Sequence, residues 1–326
     1  MGASPHAAVL AEAADDNAFP ALSFGVRVPT HGAAKVHSLF DRAANLELAG
    51  QRLVVLLDAT SPNVPHGIRL GAHAWRELRA SVRVGDTLAF EGGGLRFART
   101  GWRVDLSGAR GWHVDLSGTH AGCGDARVVN GLAAASAIAR TVHVRAGDPV
   151  AAAYSRRLAR VKPPLESAIR QLSADTAIDQ LHRLLGVGCG LTPAGDDFIV
   201  GCLAGLAIGT RYEAERRRFL MDVAGGLDFS ATTLISRQHL SDACHLQFAQ
   251  PLAELAVAIT VGAADVLSKL EAALAVGASS GADGVAGLLF GLQAWLPLPQ
   301  PCSAAQGIER ERGRPTHDHR TYGHAA

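Results

Sequence analysis

The densest chemical signal in the sequence is the run Gly186-Val-Gly-Cys-Gly-Leu-Thr-Pro-Ala-Gly-Asp-Asp-Phe-Ile-Val-Gly201. Four glycines, Gly186, Gly188, Gly190 and Gly195, precede two adjacent acids, Asp196 and Asp197. Glycine permits positive φ and lets a ligand approach the main chain. Thr192 and Pro193 read as the N-cap and first residue of a helix. Free N–H groups at such a start form an anion site for phosphate or carboxylate. On that reading the backbone of Gly188, Gly190 and Gly195 and the Thr192 hydroxyl hold the anion. Asp196 and Asp197 then favour the helix dipole, orient a polar substrate or bind Mg²⁺. The plainer alternative is that Thr192 caps, the glycines turn the chain, and the acids merely suit a helix N-terminus.

A second segment repeats the design: Gly277-Ala-Ser-Ser-Gly-Ala-Asp-Gly-Val-Ala-Gly-Leu-Leu-Phe-Gly-Leu292. Aligning Asp283 with Asp197 matches Gly281 to Gly195, Gly287 to Gly201, Gly291 to Gly205 and Leu292 to Leu206. Both copies therefore read Gly-x-Asp-x3-Gly-x3-Gly-Leu. Glycines four apart share one helix face, and each costs up to ~1 kcal/mol relative to Ala inside a helix. Retaining two per helix predicts packing that Cβ atoms would forbid. If the helices pack side by side and parallel, Asp197 and Asp283 meet at one end, as catalytic groups with Asp196 or as two ligands of Mg²⁺. Ser279, Ser280 and Gly281 then join the anion site, with Ser279 or Ser280 also able to cap.

Between these segments lies Ser230-Ala-Thr-Thr-Leu-Ile-Ser-Arg-Gln-His-Leu-Ser-Asp242. Thr232, Thr233 and Ser236 supply hydroxyls, and Arg237 a cation. Thr233, Ser236 and Arg237 fall on one helical face and can bind an anion; equally, Thr232 can cap while Ser236 bonds back to its own helix. His239 alone reads more simply as a surface or satisfied histidine than as a base. No Walker-type Gly-Lys-Ser/Thr is present, and no histidine pair has a convincing zinc spacing.

The elements that must position these residues follow from periodicity. Residues 1–124 read as a β-rich domain, with strand-like runs at Leu22–Val28, Arg52–Leu57, Val82–Phe90 and Leu95–Ala98 and Gly-containing turns between them. A tandem echo, Gly101–Gly108 and Gly111–Gly118, fits two short strands with Trp102 and Trp112 matched, or a local duplication without function. Residues 125–296 read as a helical domain. Its segments are Val128–Ala139, Pro149–Arg160, Pro164–Leu185, Pro193–Ile208, Ala214–Leu227, Thr233–Phe248, Pro251–Val261, Ala264–Val276 and Asp283–Trp295. Residues 297–326 are expected to be a disordered tail. The fold class is therefore α+β: a β-rich N-terminal domain, then a mainly α-helical domain carrying a Gly-rich helix pair.

Composition narrows the partners. With 31 basic and 30 acidic residues among 326, the net charge of +1 gives no field to steer toward nucleic acid or an anionic membrane. The longest strongly apolar stretch, Phe198–Ile208, is far short of the ~20 residues needed to span a bilayer. No secretory signal opens the chain, and five scattered cysteines read as reduced thiols, so a cytoplasmic location is expected. There are 36 glycines, about 11% against a usual ~7%, while aromatic residues reach only 5%. Such a core must be held by close backbone approach.

Taken together, Gly-Leu-Thr-Pro-Ala-Gly-Asp-Asp (190–197), Thr-Thr-Leu-Ile-Ser (232–236) and Ser-Ser-Gly-Ala-Asp (279–283) resemble the AllH family, the AllH-like subunit of oxamate carbamoyltransferase. The motifs occur in the family's order and cover the C-terminal half; the N-terminal half matches in texture only. The resemblance implies a subunit of an enzyme of allantoin and purine-nitrogen degradation that cleaves oxalurate with phosphate into oxamate and carbamoyl phosphate. It also implies partners: acyl-CoA-synthetase-like FdrA proteins and a further subunit. Two other readings stay open, a non-catalytic scaffold subunit of an FdrA-type complex and a stand-alone Mg²⁺-dependent hydrolase of a small phosphorylated or ribosylated molecule.

Overall fold

The computed structural model describes residues 18–119, 126–142 and 148–295. The expected tail and the proposed boundary at residues 124–125 lie outside the described residues. Among the described residues there are nine strands: β1 (Ala18–Gly25), β2 (Gly32–Leu39), β3 (Ala43–Leu48), β4 (Arg52–Leu57), β5 (Gly67–Leu70), β6 (Thr87–Glu91), β7 (Gly94–Phe97), β8 (Arg103–Asp105) and β9 (Arg110–Trp112). They form one sheet in the order β5-β4-β3-β2-β6-β7-β8-β1-β9, and β1 pairs back onto β5. That last pairing curls the sheet into a barrel and leaves few open edges.

The barrel interior holds Val36, Leu46, Leu56, Ile68, Leu88, Phe90, Phe97 and Val104. A helix, α1 (Ala72–Ser81), adds Ala74, Trp75 and Leu78 to the same core. This helix and strands β2, β3 and β5 are absent from the sequence reading. The expected strand Val82–Phe90 begins only at Thr87, because Gly85 turns the chain at φ +91.

The tandem echo does not give two matched strands. In the first copy the strand follows Trp102, which is buried and stacks on Phe19 with ring centres 4.8 Å apart; in the second the strand ends on Trp112. What repeats is the turn. Asp105 accepts from the Ser107 N–H at 2.9 Å, and Asp115 from the Ser117 hydroxyl and the Gly118 N–H. Leu106 then packs on the barrel core and Leu116 in the helical core.

Nine further α-helices follow among the described residues: α2 (Ala126–Val142), α3 (Pro149–Arg170), α4 (Ala174–His182), α5 (Ala194–Ala207), α6 (Ala214–Gly226), α7 (Leu234–Cys244), α8 (Gln250–Val261), α9 (Val266–Leu274) and α10 (Ser280–Trp295). The architecture is α+β, as the residue pattern predicts. Boundaries differ most at α3 and α4. The expected segment Pro164–Leu185 breaks after Arg170, where Leu172 turns the chain at φ +54. Helix α3 instead runs unbroken through Pro163 and Pro164, where a break was expected. Pro163 is exposed, while Val161, Leu165, Ala168 and Ile169 hold the apolar stripe on both sides of the prolines. Burial of that stripe outweighs the lost backbone bonds.

Helices α5 and α10 form the axis of the helical half. They run parallel, backbone against backbone: Gly284 lies opposite Asp197 and Gly201, Gly287 opposite Phe198, and Gly291 opposite Cys202 and Gly205. A Cβ on Gly201, Gly205, Gly287 or Gly291 would overlap main-chain atoms of the opposite helix. Lys162 of α3 places its ammonium over the Phe198 and Phe290 rings, at 5.8 and 5.4 Å.

Helix α7 joins the halves. Gln238 accepts from the Leu53 N–H at 2.9 Å, and Asp242 bonds His66 and Arg27. A second bridge runs from Ser23 through Asn63 to Gln250 at the start of α8. No described helix is long and apolar enough to cross a membrane.

Candidate functional site

The N-terminal ends of α5 and α10 lie side by side, as the matched spacing requires. Helix α5 begins one residue later than expected: Pro193 occupies the cap position, and its carbonyl accepts from the N–H groups of Asp196 and Asp197. Thr192 therefore caps nothing. Its hydroxyl instead meets the Ser280 hydroxyl at 2.7 Å and ties the two helix starts together. The glycines before it serve the turn. Gly186, Gly188 and Gly190 have φ of +69, +128 and +99, a region that side chains rarely enter. Gly195 lies so close to Leu184 that a Cβ would overlap its carbonyl oxygen, and Gly281 does the same against Ala273.

The two adjacent acids have separate tasks. Asp196 is fully buried and accepts three hydrogen bonds: from the Gly186 N–H at 2.8 Å, the Ser236 hydroxyl at 2.6 Å and the Thr232 hydroxyl. It fastens the glycine turn to the start of α7. Asp197, one residue on, points to the seam with α10. Its Oδ2 is buried and has no hydrogen-bond partner. Burial pushes its pKa up; the Ser280 and Thr192 hydroxyls pull it down, Asp283 and Asp196 push it up again, and the result is about 8. Asp197 is thus placed to carry a proton at neutral pH.

Asp283, 5% exposed, lines a cleft of about 120 Å³. At roughly 30 Å³ per water, that is the room of about four waters. Gly188, Cys189 and Ala194 form one wall and Ser279 and Ala282 another. The first turns of α3 complete it with Asp148 and Tyr154. Asp148 caps α3 by accepting from the Val150 N–H at 2.8 Å. The Tyr154 hydroxyl is buried and makes no hydrogen bond of good geometry. Burial raises its pKa, and the charges of Asp283 and Asp197 raise it further, so it stays a neutral phenol.

The structure therefore brings together Asp197, Asp283, Thr192, Ser279, Ser280, Gly188, Gly195 and Gly281. It sets apart the hydroxyl segment. Thr233, not Thr232, caps α7, accepting from the Ser236 N–H at 3.1 Å and donating to the Leu191 carbonyl. Thr232 and Ser236 bond Asp196. Arg237 donates to the carbonyls of Thr232 and Ser230 and to the Gln51 side chain, so its guanidinium braces the α7 start rather than facing the cleft. Gly190 does not line the cleft. His239 is half-buried, with its ring edge-on to His66 of the barrel at 5.1 Å; desolvation, with the His66 charge, lowers its pKa to about 4.

Tyr154 and Asp148 are absent from the sequence reading. The Asp148-Pro149 pair is a helix-start signature, and Tyr154 is the one aromatic in α3; those two facts were the available signal. Among the described residues no three or more His, Cys, Asp or Glu side chains gather as a metal site. A magnesium ion here would rest on Asp197, Asp283 and the oxygens of a substrate.

Two family models match the chain. The model described as oxamate carbamoyltransferase subunit AllH matches residues 184–292, the span from the glycine turn to the last glycine of α10. The model described as the AllH family N-terminal domain matches residues 11–111, which include most of the barrel. No curated protein and no solved structure matches the chain. With both halves matched by models of one family, and with the glycine turn and the paired helices inside the first match, the chain belongs to the AllH family.

Proposed function

We propose that this chain is the carbamoyl-handling subunit of an oxamate carbamoyltransferase, and that the reaction takes place at the cleft between the starts of α3, α5 and α10. The observation that carries the reading is Asp197: a carboxyl held protonated near neutrality, beside Asp283, at the paired N-termini of two helices. In the direction of oxalurate cleavage, a phosphate oxygen attacks the carbamoyl carbon. The bond from that carbon to the oxamate nitrogen breaks, and the nitrogen must receive a proton as it leaves. The products are carbamoyl phosphate and oxamate. A neutral carboxylic acid suits that donation, and Asp197 is the group in the right state. Asp283 and the Ser279 hydroxyl accept from the carbamoyl NH₂, and the N–H groups at the helix starts favour the negative charge that grows on the carbamoyl oxygen. The family description as a subunit supports partner chains, with FdrA-like proteins as the candidates.

The scaffold reading has one observation in its favour: close packing alone accounts for Gly201, Gly205, Gly287 and Gly291. It leaves the unsatisfied Oδ2 of Asp197 without a purpose, since a buried carboxylate oxygen lacking a partner is costly to keep. The test is the complex reconstituted with FdrA-like partner subunits, assayed for carbamoyl phosphate formation from oxalurate and phosphate. Asp197→Asn should lower kcat by at least ~100-fold, the usual scale of lost acid catalysis, with the complex intact. Wild-type should lose kcat as pH rises through about 8, where Asp197 gives up its proton. Full activity in the variant would refute the assignment.

A further inference from the structure

Far from the cleft, the turn between β1 and β2 and the first residue of β4 enclose a surface notch of about 390 Å³. Its lining includes Arg27, Val28, Thr30, His31 and Arg52, and no carboxylate. Arg52 takes part in no ion pair among the described residues, whereas Arg27 has a double engagement. Its Nε donates to Asp242 Oδ1 at 3.0 Å and its Nη2 to the Ser241 hydroxyl at 3.2 Å, which leaves Nη1 without a partner among the described residues. A guanidinium has five N–H donors in a planar fork, so one face can hold a carboxylate while the other takes a second anion.

Asp242 matters because of where it sits. It is 1% exposed, on the barrel-facing side of α7, and accepts also from His66 at 2.5 Å and Gln238 at 2.9 Å. Burial pushes its pKa up, but His66, His239 and Arg27 together hold it below the usual carboxylate range. At the other end of the same helix, Ser236 and the preceding Thr232 hold Asp196, and Asp196 holds the glycine turn. One rigid element therefore connects the notch to the wall of the cleft.

We propose that the notch binds a small phosphate dianion, inorganic phosphate or a phosphate monoester, between Arg27 and Arg52. The matching charge is two cations, Arg27 from the β1–β2 turn and Arg52 from the start of β4, and a guanidinium pairs well with phosphate. Occupancy reaches α7 because the Arg27 that takes the anion also neutralises Asp242. Shared with the anion, Arg27 holds Asp242 less tightly, and the barrel's grip on α7 weakens. The proposal does not depend on the reading of the cleft.

The test is calorimetric titration of the full chain with inorganic phosphate at constant ionic strength, together with amide exchange along α7. Phosphate should bind the wild-type and Asp283→Asn chains alike, and Arg52→Glu should weaken it at least ~10-fold, as loss of one of two cations implies. Bound phosphate should quicken exchange from Gln238 to Cys244 several-fold. Arg52→Gln, the gentler change at the same exposed position, should weaken binding in the same direction. The proposal is overturned if Arg52→Glu and Arg52→Gln bind normally, if Asp283→Asn abolishes binding while Arg52→Glu retains it, or if chloride reproduces the whole effect.

Discussion

Replacing Gly201 by alanine tests the helix seam that positions the site. The new methyl would overlap the Gly284 carbonyl oxygen and lie 2.8 Å from both the Gly284 carbonyl carbon and the Leu288 nitrogen. Real Cβ atoms essentially never approach below 3.0 Å, and the obstacles are main-chain atoms that no rotamer change can move. Helices α5 and α10 must therefore separate by about an ångström, and a gap of that size forfeits roughly a quarter to a half of the dispersion attraction across the seam. Overpacking of this kind costs about 1–3 kcal/mol or more, against a helix-propensity gain of up to ~1 kcal/mol. With the loosened seam included, a net loss of about 2–4 kcal/mol is expected. Gly225→Ala in α6 is the control, because nothing lies within 4 Å of a Cβ there; it should gain up to ~1 kcal/mol. Urea unfolding followed by circular dichroism measures both. If Gly201→Ala is as stable as Gly225→Ala, the backbone-to-backbone seam is wrong.

Three further outcomes follow from the same geometry. Asp197 keeps its proton to about pH 8 in the folded chain, against an ordinary 3.8. Its stabilising share is therefore complete below about pH 4 and is lost as pH rises through 8. Asp197→Asn cannot ionise, so its stability relative to wild-type should climb across that window by on the order of a few kcal/mol; a pH-independent difference would remove the buried-acid argument. Asp196→Ala strands three donors and should cost about 3–5 kcal/mol in unfolding experiments, with faster proteolysis at the glycine turn; a loss below ~1 kcal/mol would show that Asp196 is not the fastening. Arg237→Ala should lower stability by about 1–3 kcal/mol while leaving the KM for oxalurate and phosphate unchanged in the reconstituted complex; a large rise in KM would return Arg237 to the binding site.

Much of this site was legible because spacing is a geometric statement. Gly-x-Asp-x3-Gly-x3-Gly-Leu, repeated, admits few uses other than a parallel helix pair with aspartates at one end, and that is what α5 and α10 form. Most helical segments were legible for the same reason, but not the junction of α3 and α4. Local chemistry argued for a break at Pro163 and Pro164, burial on both sides overrode it, and the chain turns instead at Leu172, which carries no turn signal. The barrel was largely hidden. Strands β2 (GAAKVHSL) and β3 (AANLEL) mix polar and small residues, and the β1–β5 pairing that closes the sheet joins segments over forty residues apart. The division between Asp196 and Asp197 was hidden too. Neighbours on a helix point about 100° apart, so one carboxylate faces α7 and the other faces α10, and nothing in the dipeptide says which partner awaits each. For the same reason the hydroxyls of Thr232 and Ser236 suit an anion or the chain itself equally in sequence, and only the fold supplies Asp196 as their acceptor.

The central claim is that the carbamoyl group is handled at the starts of α5 and α10. It is tested most directly by carbamoyl phosphate formation in the complex reconstituted with FdrA-like subunits, comparing wild-type with Asp283→Asn. Asp283→Asn should lower kcat by on the order of 100-fold through lost positioning of the carbamoyl group, with assembly and phosphate binding at the notch retained. A variant that assembles normally and turns over at the wild-type rate would contradict it.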